Sequence, residues 1–141
     1  MGITSPHSAD AAQHLLDSNA KVRARFLADW PCLTIKRVPN SVADRSTDRS
    51  TTSRWKDNGK IFSVRYNDTE YFPAFQFHDG QPHGTVARVL KILSKRKSEW
   101  QIAFWFTSPN GWLDGKKPAE CLNEIETVAS AAAEEAEPIV G

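Results

Sequence analysis

The chain has 141 residues with 18 basic and 17 acidic side chains, a net charge of +1 that by itself selects no partner. Five Trp, seven Phe and two Tyr are enough for a real core, while the lone Cys32 and Cys121 fit neither a disulfide framework nor a metal-ligand spacing. No basic and apolar leader opens the chain, no apolar run approaches the roughly 20 residues of a membrane span, and Pro6 stands where a myristoylation start needs Ser or Thr, so the expectation is a cytoplasmic protein with no membrane partner.

Residues 1–7 read as a loose tail, and Ser8 is the expected cap of a helix to about Leu16. A second helix, Ser18 to Asp29, has Val22, Phe26, Leu27 and Trp30 on one side and Lys21, Arg23 and Arg25 on the other; Pro31 stops it. Thr34 is the expected N-cap of a third, with Ile35, Val38 and Val42 inward and a kink at Pro39. After the polar stretch 44–48, Arg49 to Asn58 reads as a short basic helix around Trp55, closed by Gly59. The period then changes. Lys60 to Tyr66 alternates as a strand, Asn67-Asp68 turns, and Glu70 to Phe77 returns, with Pro73 marking an edge or the point of departure from the sheet.

The aromatic run Phe72 to Phe77 reads as core between the hairpin and the later helices, in preference to a stacking platform for single-stranded nucleic acid. His78 to Gly84 reads as a loop, in preference to a metal site on His78, Asp79 and His83. Thr85 to Lys95 is a helix that buries Val86, Val89, Leu90 and Leu93. Trp100 to Thr107 is helical and apolar nearly all round, ended by Ser108-Pro109, and Asn110-Gly111 turns. Pro118 opens a last helix, Ala119 to about Glu137, with Leu122, Ile125, Val128, Ala129 and Ala132 on its inner face.

Charge is unevenly placed. Residues 36–65 hold eight basic side chains, among them Arg49, Arg54, Lys56, Lys60 and Arg65, against three Asp; a second basic cluster is Arg88, Lys91, Lys95, Arg96 and Lys97. From Asp114 on the sign inverts, through Glu120, Glu124, Glu126, Glu134, Glu135 and Glu137. No Gly-rich phosphate loop, nucleophile elbow or H-E-x-x-H motif is present, so no catalytic residue, metal or cofactor is expected.

Leu33-Thr34, Val38, Ser50-Thr51, Arg54-Trp55, Gly59-Lys60-Ile61 and Val64 resemble the excisionase and MerR-type winged helix. Pro39 and the long charged segment Ala43 to Thr47 depart from that pattern. The resemblance implies duplex DNA as partner, with Arg49, Ser50, Thr51, Arg54 and Lys56 on a helix in the major groove and Lys60 and Arg65 on the wing against phosphates. The residues alone also allow a solvated basic face.

In the last third, Trp105-Phe106 precede Ser108-Pro109-Asn110, then Leu113, Pro118-Ala119 and Leu122, closed by Glu126, Val128 and an alanine-rich tail. That order resembles the C-terminal toxin-binding domain of the Xre/MbcA/ParS antitoxin family. It implies an antitoxin of a type II toxin–antitoxin system, binding a RES-like, NAD-consuming toxin directly and repressing its own operon. On this resemblance the toxin-binding residues are Trp105, Ser108, Pro109, Asn110, Trp112 and Leu113. The resemblance also implies that in the tail Ile139 and Val140 fill the apolar part of the toxin's NAD pocket while Glu134, Glu135 and Glu137 meet its basic residues; the residues alone also allow a frayed end. The expected fold is mainly α: a winged helix-turn-helix lobe over 8–77 with its β-hairpin, then a small helical bundle over 78–141. Two other readings stay open: a DNA-binding regulator whose C-terminal lobe only forms a homodimer, and an adaptor that does not bind DNA.

Overall fold

A computed structural model of the chain describes residues 19–38 and 49–137, with the backbone alone at Lys36, Arg49 and Ser50. The expected tail 1–7, the helix Ser8 to Leu16, Pro39, Val42, the segment Ala43 to Thr47 and residues 138–141 lie outside the described residues. The chain forms two compact units, Met1–Pro31 and Cys32–Gly141.

In the first unit, residues 19–29 are helical (α1). Arg25 and Asp29, one turn apart, form an exposed 3.1 Å ion pair. The Trp30 N–H donates to the Phe26 carbonyl before Pro31 ends the helix. Phe26 is buried, but Val22, expected beside it, is exposed.

The second unit is mainly helical with a small antiparallel sheet. Strands β1 (Cys32–Leu33), β2 (Val64–Tyr66) and β3 (Thr69–Pro73) lie in the order β1-β3-β2. Asn67 and Asp68 both take positive φ, 48° and 65°, which makes the β2–β3 connection a two-residue turn whose twist suits a tight hairpin. β3 is thus the central strand rather than an edge. Pro73 is tolerated because it is the last residue, opposite Cys32, after which the chain leaves into a 3-10 turn, Ala74–Gln76.

The helix expected from Thr34 is a correction: only Ile35–Arg37 turns, as a single 3-10 turn, and Val38 is extended. The cause is non-local. Leu33 is drawn into the sheet opposite Phe72, and Val38, Ile61 and Phe72 form a core against which Leu33, Ile35, Trp55 and Phe77 pack.

Helix α2 (Arg49–Asp57) ends where its sequence asks. Gly59, at φ +71°, donates to the Lys56 carbonyl and Lys60 donates to that of Trp55, the paired closing bonds of a glycine-terminated helix. His78 to Gly84 is not a plain loop. Asp79 and Gly80, at φ 52° and 77°, close a second hairpin between β4 (Phe77–His78) and β5 (Gln81–Pro82). Helix α3 (Gly84–Leu93) buries Val86, Val89, Leu90 and Leu93 as its periodicity predicts. Helix α4 (Glu99–Thr107) opens with a reciprocal cap between Ser98 and Gln101, and Ser108 is extended before Pro109.

The last helix also begins later than expected. Pro118–Glu120 is a 3-10 turn and α5 runs Ile125–Ala136. Between them the Leu122 carbonyl accepts a 2.6 Å bond from the buried Thr85 hydroxyl, and Ile125 is exposed instead of facing inward. Val128, Ala129, Ala131 and Ala132 are the buried face, and α5 packs against α3.

The division expected between residues 77 and 78 falls inside this second unit. Phe62, Phe75 and Phe106 form a three-ring cluster with centroids 5.3–6.1 Å apart, joining hairpin and α4. Trp100 Nε1 on α4 donates to the Arg65 carbonyl at 3.0 Å. Gln76, fully buried, exchanges two 2.8 Å bonds with the backbone N–H and carbonyl of Phe62, as a neighbouring strand would.

Candidate functional site

Two surfaces bear the residues singled out by the sequence. On α2, Thr52 is buried and Trp55 packs toward the core, with its ring 6.1 Å from that of Phe77. This leaves Thr51 half-buried and Arg54 exposed on the outer stripe. For Arg49 and Ser50 the structure describes the backbone in the first turn of α2 and no side chain. Lys60 and Arg65 are exposed, Arg65 with one guanidinium nitrogen 3.3 Å from the Asp68 carbonyl.

Lys56 is turned back on the protein. Its ammonium lies 2.5 Å from Glu70 on β3 and 3.9 Å from Glu99 on α4, and the Ser63 hydroxyl donates to the same Glu70 carboxylate at 2.6 Å. Partial burial works against ionisation of Glu70, but bonds from Lys56 and Ser63 and the charges of Lys56 and Arg65 outweigh it and hold the carboxyl below its usual range. This network ties α2 to β3 and α4 and engages the charge of Lys56 within the protein.

The second surface is the loop after α4. The backbone of Asn110 is bonded in both directions: its N–H donates to the Lys116 carbonyl at 3.0 Å, and its carbonyl accepts from Leu113 and Gly115. Its side chain accepts from the Trp112 N–H at 2.8 Å and so caps the 3-10 turn Gly111–Leu113. Asp114 and Gly115, at φ 58° and 81°, reverse the chain. Leu113 is thereby buried and anchors the loop, while Trp112 stands 66% exposed on a fixed turn that packs against α5. Ser108 and Pro109 are exposed beside it.

Trp105 is not part of that surface: it is 8% exposed, and its Nε1 has no hydrogen-bond partner among the described residues. Glu134 and Glu137 are exposed, whereas Glu135 pairs with Lys97 at 2.9 Å. Ile139 and Val140 lie outside the described residues.

His83 does not join His78 in a ligand set. Its Nδ1 accepts from the Thr85 N–H at 3.3 Å to cap α3, and its Nε2 lies 3.5 Å from Asn123. His78 lies 3.3 Å from Asp79 with its ring 6.0 Å from that of His83, and no group of three or more His, Cys, Asp or Glu side chains is placed to hold a metal among the described residues. Burial pushes the Cys32 thiol up to about 11 and raises that of Cys121, which keeps both protonated and weakly nucleophilic at neutral pH. No described helix is long and apolar enough to cross a membrane.

Sequence reasoning missed Glu70, Gln76 and the Asn110 cap; only the last had a local signal, an Asn before Gly-Trp-Leu. No protein-family model, curated protein or solved structure is matched by this chain.

Proposed function

We propose that the chain is an antitoxin of the Xre/MbcA/ParS kind. Its C-terminal part holds a RES-like toxin by direct contact, and α2 with the β2–β3 hairpin acts as a winged helix-turn-helix on duplex DNA of its own operator. The observation that carries the first half is Trp112. A tryptophan costs free energy when left in water, and this one is held out on a turn closed by four backbone bonds and a side-chain cap, inside the segment that bears the resemblance. A large, rigid, exposed aromatic is the usual centre of a binding surface because little ordering entropy remains to be lost.

The DNA half is supported by element order: α2, its glycine stop, a tight two-residue hairpin, and β1 added to the return strand. Arg54 stands on the outer stripe of α2, suited to base edges, and Arg65 on the hairpin, suited to phosphates. The helix that precedes α2 in such motifs is represented, among the described residues, by the turn Ile35–Arg37 alone.

The test is co-expression with the product of the adjacent reading frame. An antitoxin co-purifies with a RES-like protein and restores cellular NAD, and Trp112→Ala removes both effects while leaving the thermal transition unchanged. If the chain purifies alone as a dimer and Trp112→Ala converts it to a monomer, the regulator reading replaces the antitoxin.

A further inference from the structure

The basic side chains of the second unit are not equally available. Arg88 is gripped by Glu126 of α5 at 2.7 and 3.4 Å, Lys97 by Glu135 of α5, and Lys56 by Glu70. Lys60, Lys91 and Lys95 have no ion-pair partner among the described residues. These three line one cleft of about 630 Å³ between the C-terminal end of α2 and the outer face of α3, walled by Ala87 and Leu90. Asp57 is the single carboxylate among the lining residues, so the cleft keeps an excess of positive charge.

The cleft continues the exposed face of α2. Thr51, Arg54 and Asn58 recur at i, i+3 and i+7, one helical stripe, and Asn58 is itself in the cleft lining. Across the cleft, Lys91 lies in the last turn of α3 and Lys95 in the turn that follows its C-terminus. A row of unpaired lysines that prolongs a helix face fits a linear polyanion better than a compact anion.

We propose that this cleft seats the phosphodiester backbone of duplex DNA, with Lys60, Lys91 and Lys95 each neutralising a phosphate beside the bases that α2 faces. The proposal rests on the reading of α2 as a DNA-binding helix. Lysine acts here as a point charge, so the cleft adds affinity without sequence preference.

The experiment titrates the full chain with two unrelated duplexes, each two helical turns long, over a range of salt concentrations. Lys91→Gln/Lys95→Gln should reduce the logarithmic salt slope by about 2, roughly 0.9 per lost phosphate contact, and weaken both duplexes alike. Ala87→Glu, which places a carboxylate in the cleft wall, should weaken both as well. Lys97→Gln, whose charge is already met by Glu135, should leave the slope unchanged. If the wild type binds and the double variant keeps its slope and affinity, the cleft is not a phosphate seat although α2 still binds DNA. If the wild type binds neither duplex at low salt, the cleft proposal and the reading of α2 fall together.

Discussion

Three residues decide more than their composition suggests. Gln76 satisfies both backbone groups of Phe62 in a site without water access, so Gln76→Leu orphans a donor and an acceptor, at about 1–3 kcal/mol each. Chemical denaturation should show a midpoint lowered accordingly with an unchanged slope on denaturant. Glu70 carries the acid sensitivity. Its carboxyl titrates below the ordinary 4.5, so its contribution to stability is complete above that value and is lost as the pH falls through the lowered one. Glu70→Gln should therefore be less stable than the wild type at neutral pH and lose less stability on acidification below 4.5, which thermal melts across that range would measure. Trp105 buries an indole N–H with no partner among the described residues, so Trp105→Phe removes an unsatisfied donor along with some packing. Its melting temperature should change little, and the variant should bind any partner of the Trp112 surface as the wild type does.

At the scale of elements, local chemistry was readable and long-range pairing was not. The bounds of α2, α3 and α4 follow from apolar spacing together with Gly59, the extended Ser108 and Pro109, all contained in a few consecutive residues. The Asp79-Gly80 turn was also present as a signal, but the two histidines and Pro82 beside it favour a loop until the pairing of Phe77 with Pro82 is seen. No local pattern tells that Leu33 will pair with Phe72 and that a single 3-10 turn will follow it where a helix was expected, or that Thr85 will take the Leu122 carbonyl and delay α5 to Ile125. The candidate surfaces divide in the same way. Arg54, Lys60, Arg65 and Trp112 are exposed, whereas Lys56 is held by Glu70 and Glu99, partners 14 and 43 residues away that no local pattern announces. Lys56→Ala should accordingly lower the stability of the fold by about 1 kcal/mol with no change in the salt slope of DNA binding, while Arg54→Ala relaxes sequence preference at one position and leaves stability intact. A melt, with salt titrations on duplexes that differ at single positions, separates these effects in the two variants.

At the scale of the whole molecule, the opposition between a basic middle and an acidic end is partly resolved inside the second unit, where α5 lies on α3 and pairs Glu126 with Arg88 and Glu135 with Lys97. Lys60, Lys91 and Lys95 are left along the α2–α3 cleft, and Glu134 and Glu137 on the outside of the last helix. The surfaces proposed for nucleic acid and for a protein partner are thus separate, an arrangement by which one chain would serve both. The central claim is that a rigid, exposed Trp112 is the anchor for a RES-like toxin, and calorimetric titration of the purified toxin into wild-type chain and Trp112→Ala tests it most directly. The account predicts a loss of at least about 2 kcal/mol, roughly thirtyfold in affinity, with an unaltered melting temperature. Equal affinities for the two proteins, or no binding by either, would contradict it.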